Sequence, residues 1–213
     1  MAQILRSEKL KIVNKIGGTD ILIADSISFE ISEKEWVNLS IPHGGGKSII
    51  YKVLLGQSKP TSGSIVYNNK AKIDDYDKDK FLKKNITAVP EYPTIISFFT
   101  VKDWVRLQIE LIRPEKYKSR LKDFYKKLSD QGIEPEKHVN QLTLLEIRKL
   151  EILFSYLADT ILIICDDIDI GLNKTELENM ADFLKTINKE RAILTLSGNP
   201  IWNKYAKKVV RIG

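Results

Sequence analysis

A chain of 213 residues, 43% hydrophobic and 29% charged, has the length for one α/β domain, with or without an inserted subdomain, and for a core that needs neither disulfide nor metal. No apolar run approaches the roughly 20 residues that cross a bilayer, and the charged N-terminus MAQILRSEKLKIV has no signal-peptide apolar core; the expected location is cytoplasmic, with membrane contact made through a partner or at the surface. The net charge of +6 invites an anionic partner, but no nucleic-acid motif accompanies it, and no specific nucleic acid is expected.

In chain order, Ile21–Ile31 alternates as a strand, and Glu35–Ile41 reads as a more buried one. Pro42-His43-Gly44-Gly45-Gly46-Lys47-Ser48 follows, then IIYKVLLG, a short helix stopped by Gly56. Lys59–Gly63 is a turn, Gly63–Tyr67 a strand, and Ile86–Val89 a buried strand broken by Pro90 and Pro93. From Val101 to Leu128 the pattern is helical. Within it, the basic stretch from Arg113 to Asp130 repeats Leu121, Phe124, Tyr125 and Leu128 at helical spacing, as an amphipathic helix with a solvated basic face does. Leu142–Leu157 is helical and runs into the strand Thr160–Cys165, whose cysteine, the only one, reads as a buried structural thiol in a reducing compartment. A helix over Glu176–Asn188 and a strand over Arg191–Leu196 follow. Strands alternating with helices predict an α/β fold with a largely parallel sheet core, and the block over roughly 92–155 interrupts that alternation as a helical subdomain.

After a strand, three glycines free the backbone N–H groups to curl round a pyrophosphate, at the positive end of the helix opening at Lys47. Lys47 would reach the terminal phosphates, and the Ser48 hydroxyl would ligate Mg²⁺. Ile41 stands where the strict G-x-x-x-x-G-K-[ST] pattern has its first glycine, and a functionless glycine-rich turn looks similar. The apolar run Ile163-Ile164-Cys165 ends in Asp166-Asp167. Beside a phosphate loop, Asp166 would hold Mg²⁺ through water and Asp167 would face the attacking water; alone, the pair reads as a capping turn.

These motifs, in this order, resemble the nucleotide-binding domain of ABC ATPases along almost the whole chain. KSIIYKVLLGQSKPTSGSIVYNN is similar to the stretch from the P-loop helix through the turn after it, and VPEYPTIISFFTVKDWV to the segment holding the Q-loop. QLTLLEIRKLEILFSYLADTILIICDDIDIGLN resembles the signature, its helix, the Walker B strand and the D-loop; LTLSGNP resembles the last strand with its switch histidine. The resemblance implies a P-loop NTPase fold as a single domain over residues 1–213, with an N-terminal antiparallel β region and the helical subdomain. It implies ATP and Mg²⁺ as ligands, held by His43, Gly44, Gly45, Gly46, Lys47, Ser48 and Ile49, with Ser48 and Asp166 for the metal. It further implies a homodimer or heterodimer of such domains and an integral membrane permease-type partner, with the chain peripheral at the cytoplasmic face of the inner or plasma membrane. Tyr92, Phe98, Phe99 and Trp104 are then either the local docking aromatics or packing of the subdomain core. Because the chain ends at Gly213, no C-terminal regulatory domain is expected.

The departures from the family bear on chemistry. Glu91 replaces the Q-loop glutamine, Asp167 the catalytic glutamate, Gly198 the switch histidine and Asn173 the D-loop aspartate. The signature reads Leu142, Thr143, Leu144, Leu145, Glu146, with a hydroxyl at Thr143 but leucines where glycines permit close backbone approach. No aromatic stands near Asn14–Gly17, where one would stack on adenine. Phosphoryl transfer depends on positioned groups, so the expectation is nucleotide binding with weak or no hydrolysis. Asp167 is the remaining candidate base, and Glu91 a cation-binding carboxylate. The alternative is a non-hydrolysing nucleotide-binding scaffold or regulator.

Overall fold

The computed structural model describes residues 2–67, 71–72, 78–112 and 116–212; Asn68 and Asn69 of the P-loop-to-turn match, Arg113 of the basic stretch and Gly213 lie outside them. The N-terminal strands β1 (Gln3–Ile16) and β2 (Thr19–Ser32) form a long hairpin. Its turn is Gly17-Gly18, at φ 57° and 85°, the two left-handed residues that a two-residue type I′ turn requires. Strand β3 (Trp36–Ser40) leads to helix α1 (Lys47–Leu54), then come β4 (Ser62–Tyr67), β5 (Ala71–Lys72), α2 (Lys78–Asn85) and β6 (Ile86–Val89). The helices α3 (Val101–Ile112), α4 (Tyr117–Ser129) and α5 (Leu144–Ala158) follow, and the chain closes with β7 (Leu162–Asp166), α6 (Lys174–Ile187), β8 (Ala192–Leu196), α7 (Pro200–Tyr205) and β9 (Lys208–Arg211).

Two sheets result: an antiparallel one in the order β2-β1-β4-β5 and a parallel one in the order β6-β7-β8-β3-β9. The parallel strands are apolar on both faces because successive side chains alternate. Leu162 and Ile164 of β7 join a core with α1 and the antiparallel sheet, while Ile163 and Cys165 join a second core with α3 to α7. The C-terminal ends of β3 and β7 are thus held from above and below.

The structure agrees with the expected N-terminal antiparallel β region and adds three details. The helical pattern from Val101 to Leu128 divides into α3 and α4, with Lys116 in left-handed backbone (φ 56°) at the start of α4. The charged N-terminus, which carries no clean alternation, is the central strand β1; shifts in its register with β2 break the period-2 pattern. Trp104 packs the interior, edge to face with Phe154 at 5.5 Å, whereas Tyr92 and Phe98 are 72% and 71% exposed. In α4, Phe124 and Leu128 are buried, and Lys126 and Lys127 make i,i+4 pairs with Asp130 and Asp123 on the solvated side.

Candidate nucleotide-binding site

Beyond β3 the backbone turns left-handed twice, at Gly44 (φ 77°) and Gly46 (φ 81°), a region glycine enters without steric cost. A Cβ on Gly46 would collide with Ile23, and one on Gly45 would sit 2.8 Å from Ile41 Cγ2. Ile41 itself has no left-handed backbone and lies wholly in the core, so it occupies the place of the missing glycine without straining the loop. Helix α1 starts at Gly46 with no side-chain cap, which leaves its first N–H groups and the positive end of its dipole for an anion. His43, Gly44 and Ser48 are exposed at this mouth, and Ile49 packs against the core below.

Strand β7 brings its carboxylates to the same place. Lys47 Nζ lies 3.3 Å from Asp167 Oδ2 and donates to the Pro42 carbonyl at 3.3 Å; both side chains of the ion pair are more than nine-tenths buried. Asp167 adopts φ 45°, a conformation that aspartate tolerates better than most residues. Burial, then the charges of Asp167 and Glu91, raise Asp166 to about 6 against the pull of Lys47 and a hydrogen bond with Ser48. Burial also raises Asp167, outweighing Lys47. One oxygen of Asp166, Oδ1, is buried without a hydrogen-bond partner. An orphaned carboxylate oxygen next to a hydroxyl, among three acids and one ammonium, suits a hydrated divalent cation. Among the described residues no three His, Cys, Asp or Glu side chains are grouped to hold a metal by themselves. Ser48 and Asp166 would therefore hold Mg²⁺ together with phosphate oxygens and water, the usual arrangement for this ion.

The other predicted positions fall as follows. Glu91 is near enough to raise both aspartates, and its carboxylate accepts the Tyr92 hydroxyl. Thr143 is the N-cap of α5, in a reciprocal box with Glu146: the Glu146 amide donates to Thr143 Oγ1 at 3.2 Å, and the Thr143 amide to Glu146 Oε2 at 2.7 Å. Glu146 is also paired with Lys137 at 3.3 Å. Leu144 turns back onto its own chain, its Cδ2 2.8 Å from where a Cβ of Gly171 (φ 84°) would lie, and Leu145 packs against the second core. Asn173 caps α6, a position at which asparagine and aspartate are equally favoured. Gly198 is more than a lost histidine: a Cβ there would stand 2.7 Å from the Ile41 carbonyl oxygen, so the loop entrance rests on it.

Contacts that sequence reasoning missed support this arrangement. Trp202 Nε1 donates to Asp169 Oδ1 at 3.0 Å, tying α7 to the turn after β7. Arg148 and Glu151 are buried in α5 beneath Glu91; the signal for them was an i,i+3 pair of opposite charge on a helix rich in apolar residues. Burial pushes Glu151 from 4.5 up to about 7, with Arg148 opposing. An acid raised on folding binds its proton more tightly in the native state, so its contribution is fully present below about 4.5 and is lost as pH rises through about 7. Between pH 5.5 and 8 this group is expected to remove about 2 kcal/mol of stability. Glu151→Gln should show a correspondingly flatter pH dependence in chemical denaturation; identical slopes for the two proteins would refute the burial argument.

A parallel sheet with a glycine-rich loop after β3, leading into α1, and an acidic strand end beside it defines a P-loop nucleotide-binding domain. Residues 24–169 match the ABC transporter family, and the chain belongs to that family. It is 24% identical over 173 residues to the zinc import ATP-binding protein ZnuC of Rickettsia conorii, covering 81% of this chain and 66% of that one. A putative ABC transporter ATP-binding protein of Bacillus thuringiensis is 27% identical over 89% of this chain and 34% of its own length. The chain thus spans less than two thirds of these curated relatives. Among solved structures, the dimeric bacterial ABC transporter cassette MJ0796 superposes with a TM-score of 0.80 at 19% identity, covering 98% and 94% of the two chains. The cbiO1 protein of Clostridium perfringens, part of the transporter complex cbiONQ, gives 0.82 at 20% identity, covering 100% and 85%. The fold is that of an ABC ATPase cassette.

Proposed function

We propose that the chain is the ATP-binding subunit of an ABC-type membrane complex and couples binding of Mg-ATP, with weak or no hydrolysis, to a separate membrane partner. The observation that carries this reading is the uncapped N-terminus of α1 behind two left-handed glycines, with Lys47 and the Asp166–Asp167 pair converging on it. Loop N–H groups between His43 and Ile49 and the Lys47 ammonium bind phosphate, while those of Gly45 and Ile49 already donate to the Pro42 and Gly46 carbonyls. Ser48 and Asp166 hold Mg²⁺, which when bound neutralises phosphate charge, and Asp167 is the candidate base. The dimer of MJ0796 supports pairing of two such domains; in this reading Thr143–Glu146 face the other subunit's nucleotide. Exposed Tyr92 and Phe98, close in sequence to Glu91, support docking of a membrane partner on the segment ahead of α3, in a helical subdomain spanning roughly 92–155 of a single domain. Attachment in this reading is peripheral, through that partner; no helix among the described residues is long and apolar enough to cross a membrane. The Lys47–Asp167 pair and the crowding at Gly198 also favour the scaffold reading, in which nucleotide only stabilises a dimer.

A photo-crosslinking side chain placed at Phe98 in the native host tests the membrane coupling. The expected result is an adduct with an integral membrane protein and recovery of the chain with membranes. Recovery in the soluble fraction alone, with no membrane protein in the adduct, overturns it.

A further inference from the structure

A single turn of α5 grips the segment between β6 and α3. Arg148, with no exposed surface, donates from Nη1 to the Pro90 carbonyl at 2.6 Å and from Nη2 to the Glu91 carbonyl. Glu151 pairs with Arg148 Nη1 at 3.4 Å and accepts the backbone N–H of Thr94. Both ends of residues 90–94 are therefore held by neighbouring side chains of one helix. The segment has no regular structure of its own, so the half-buried carbonyls of Pro90 and Glu91 take their donors from the Arg148 side chain. The guanidinium fork is planar, and two carbonyls bound by one fork are fixed relative to each other and to the helix that carries it. That helix is itself anchored at its start by the capping box at Thr143 and along its length by Leu150, Leu153 and Leu157 in the core.

We propose that Arg148 and Glu151 are a positioning pair for the nucleotide site: by pinning Pro90, Glu91 and Thr94 they set where the Glu91 carboxylate stands relative to Asp166, and hence how strongly the site depends on Mg²⁺. The inference rests on the reading of the loop as a Mg-ATP site. Neither residue touches nucleotide; both act through Glu91, whose charge already bears on Asp166 and Asp167. Because Thr143 caps α5, the signature position and the Glu91 backbone move as one body. A partner seated on Tyr92 and Phe98 and a second subunit seated at Thr143 then act on the same rigid element.

The test uses Arg148→Gln, Arg148→Lys and Glu151→Gln in the full chain, with two measurements. In nucleotide-free protein, hydrogen exchange at residues 91–95 is expected to quicken about tenfold or more in Arg148→Gln, the signature of local opening, while β7 and β8 keep their protection. By calorimetry, the ratio of ATP affinities with and without Mg²⁺ is expected to change about fivefold or more, with metal-free affinity within about twofold of wild type. A purely structural contact would move exchange and leave that ratio alone. The ratio should also cease to respond to Arg148→Gln in a Glu91→Gln background, as a coupled pair requires. If Arg148→Gln does not fold, Arg148→Lys, which keeps the charge but reaches one carbonyl, and Glu151→Gln carry the same comparison. Unchanged exchange and an unchanged Mg²⁺ ratio in folded variants, with wild-type binding intact, overturn the positioning pair alone. Wild-type protein that binds no nucleotide overturns the site reading and the positioning role with it.

Discussion

Asp167→Asn is expected to bind ATP about five- to tenfold more tightly than the wild-type chain, and Lys47→Ala about tenfold or more weakly, because a charge-assisted hydrogen bond is worth about 1.5–3 kcal/mol. The two effects have opposite signs for one reason. In the nucleotide-free chain Lys47 is 3.3 Å from Asp167 inside a nearly dry site, so an incoming phosphate must displace a carboxylate already in place. Asparagine has the same shape, tolerates the φ of 45° at this position and withdraws the competing charge. It also relieves Asp166, which the Asp167 charge pushes upward after burial. Isothermal calorimetry with and without Mg²⁺ measures both variants. Equal affinities for wild type and Lys47→Ala, or an Asp167→Asn protein no tighter than wild type, contradict the assignment of Lys47 to phosphate.

Steady-state turnover by the isolated chain is expected to fall far below about 1 s⁻¹, the low end of the ordinary enzyme range, and neither Asp167→Glu nor Gly198→His alone should restore it. Glutamate at position 167 would lengthen the reach of the base, but in a left-handed backbone that short side chains with local hydrogen bonds favour. Histidine at 198 meets a harder obstacle, since its Cβ would lie 2.7 Å from the Ile41 carbonyl oxygen and 3.6 Å from Pro42 Cα. The variant is therefore expected to lose melting temperature and ATP affinity by displacing the loop entrance, rather than to gain a polarising side chain. Leu144, half-buried against Gly171 of its own chain, adds an independent obstruction where a second subunit would need bare backbone. Turnover near 1 s⁻¹ or above in the wild-type chain, abolished by Lys47→Ala, would show that substituted groups do the same work.

Much of this was legible in the residues themselves, for local reasons. The glycine run after an apolar strand, the lysine and serine opening a helix, and the acids ending a strand each follow from short-range geometry, and all three stand where the spacing put them. Short apolar runs located β3, β6, β7 and β8, and period-3.6 patterns α5 and α6, to within a few residues, since those elements bury an unbroken apolar face; β9 at the sheet edge was not read from the sequence. Strand β1 was obscured by its register shifts, and the break before α4 by a left-handed residue that apolar spacing does not encode. Chemistry made by contacts distant in sequence was decided by tertiary structure alone. Ile41 is harmless because the core receives its side chain; Gly198 is required because a loop more than 150 residues earlier presses on it. Lys47 is engaged by Asp167 because β7 ends beside α1. Arg148 reaches Pro90 and Glu91 across a separation of 58 and 57 residues. Sequence determines which groups a segment can offer. Which of them meet in a buried place, where a single charge shifts its neighbours and a single methyl group has no room, is settled only when the sheets and helices pack.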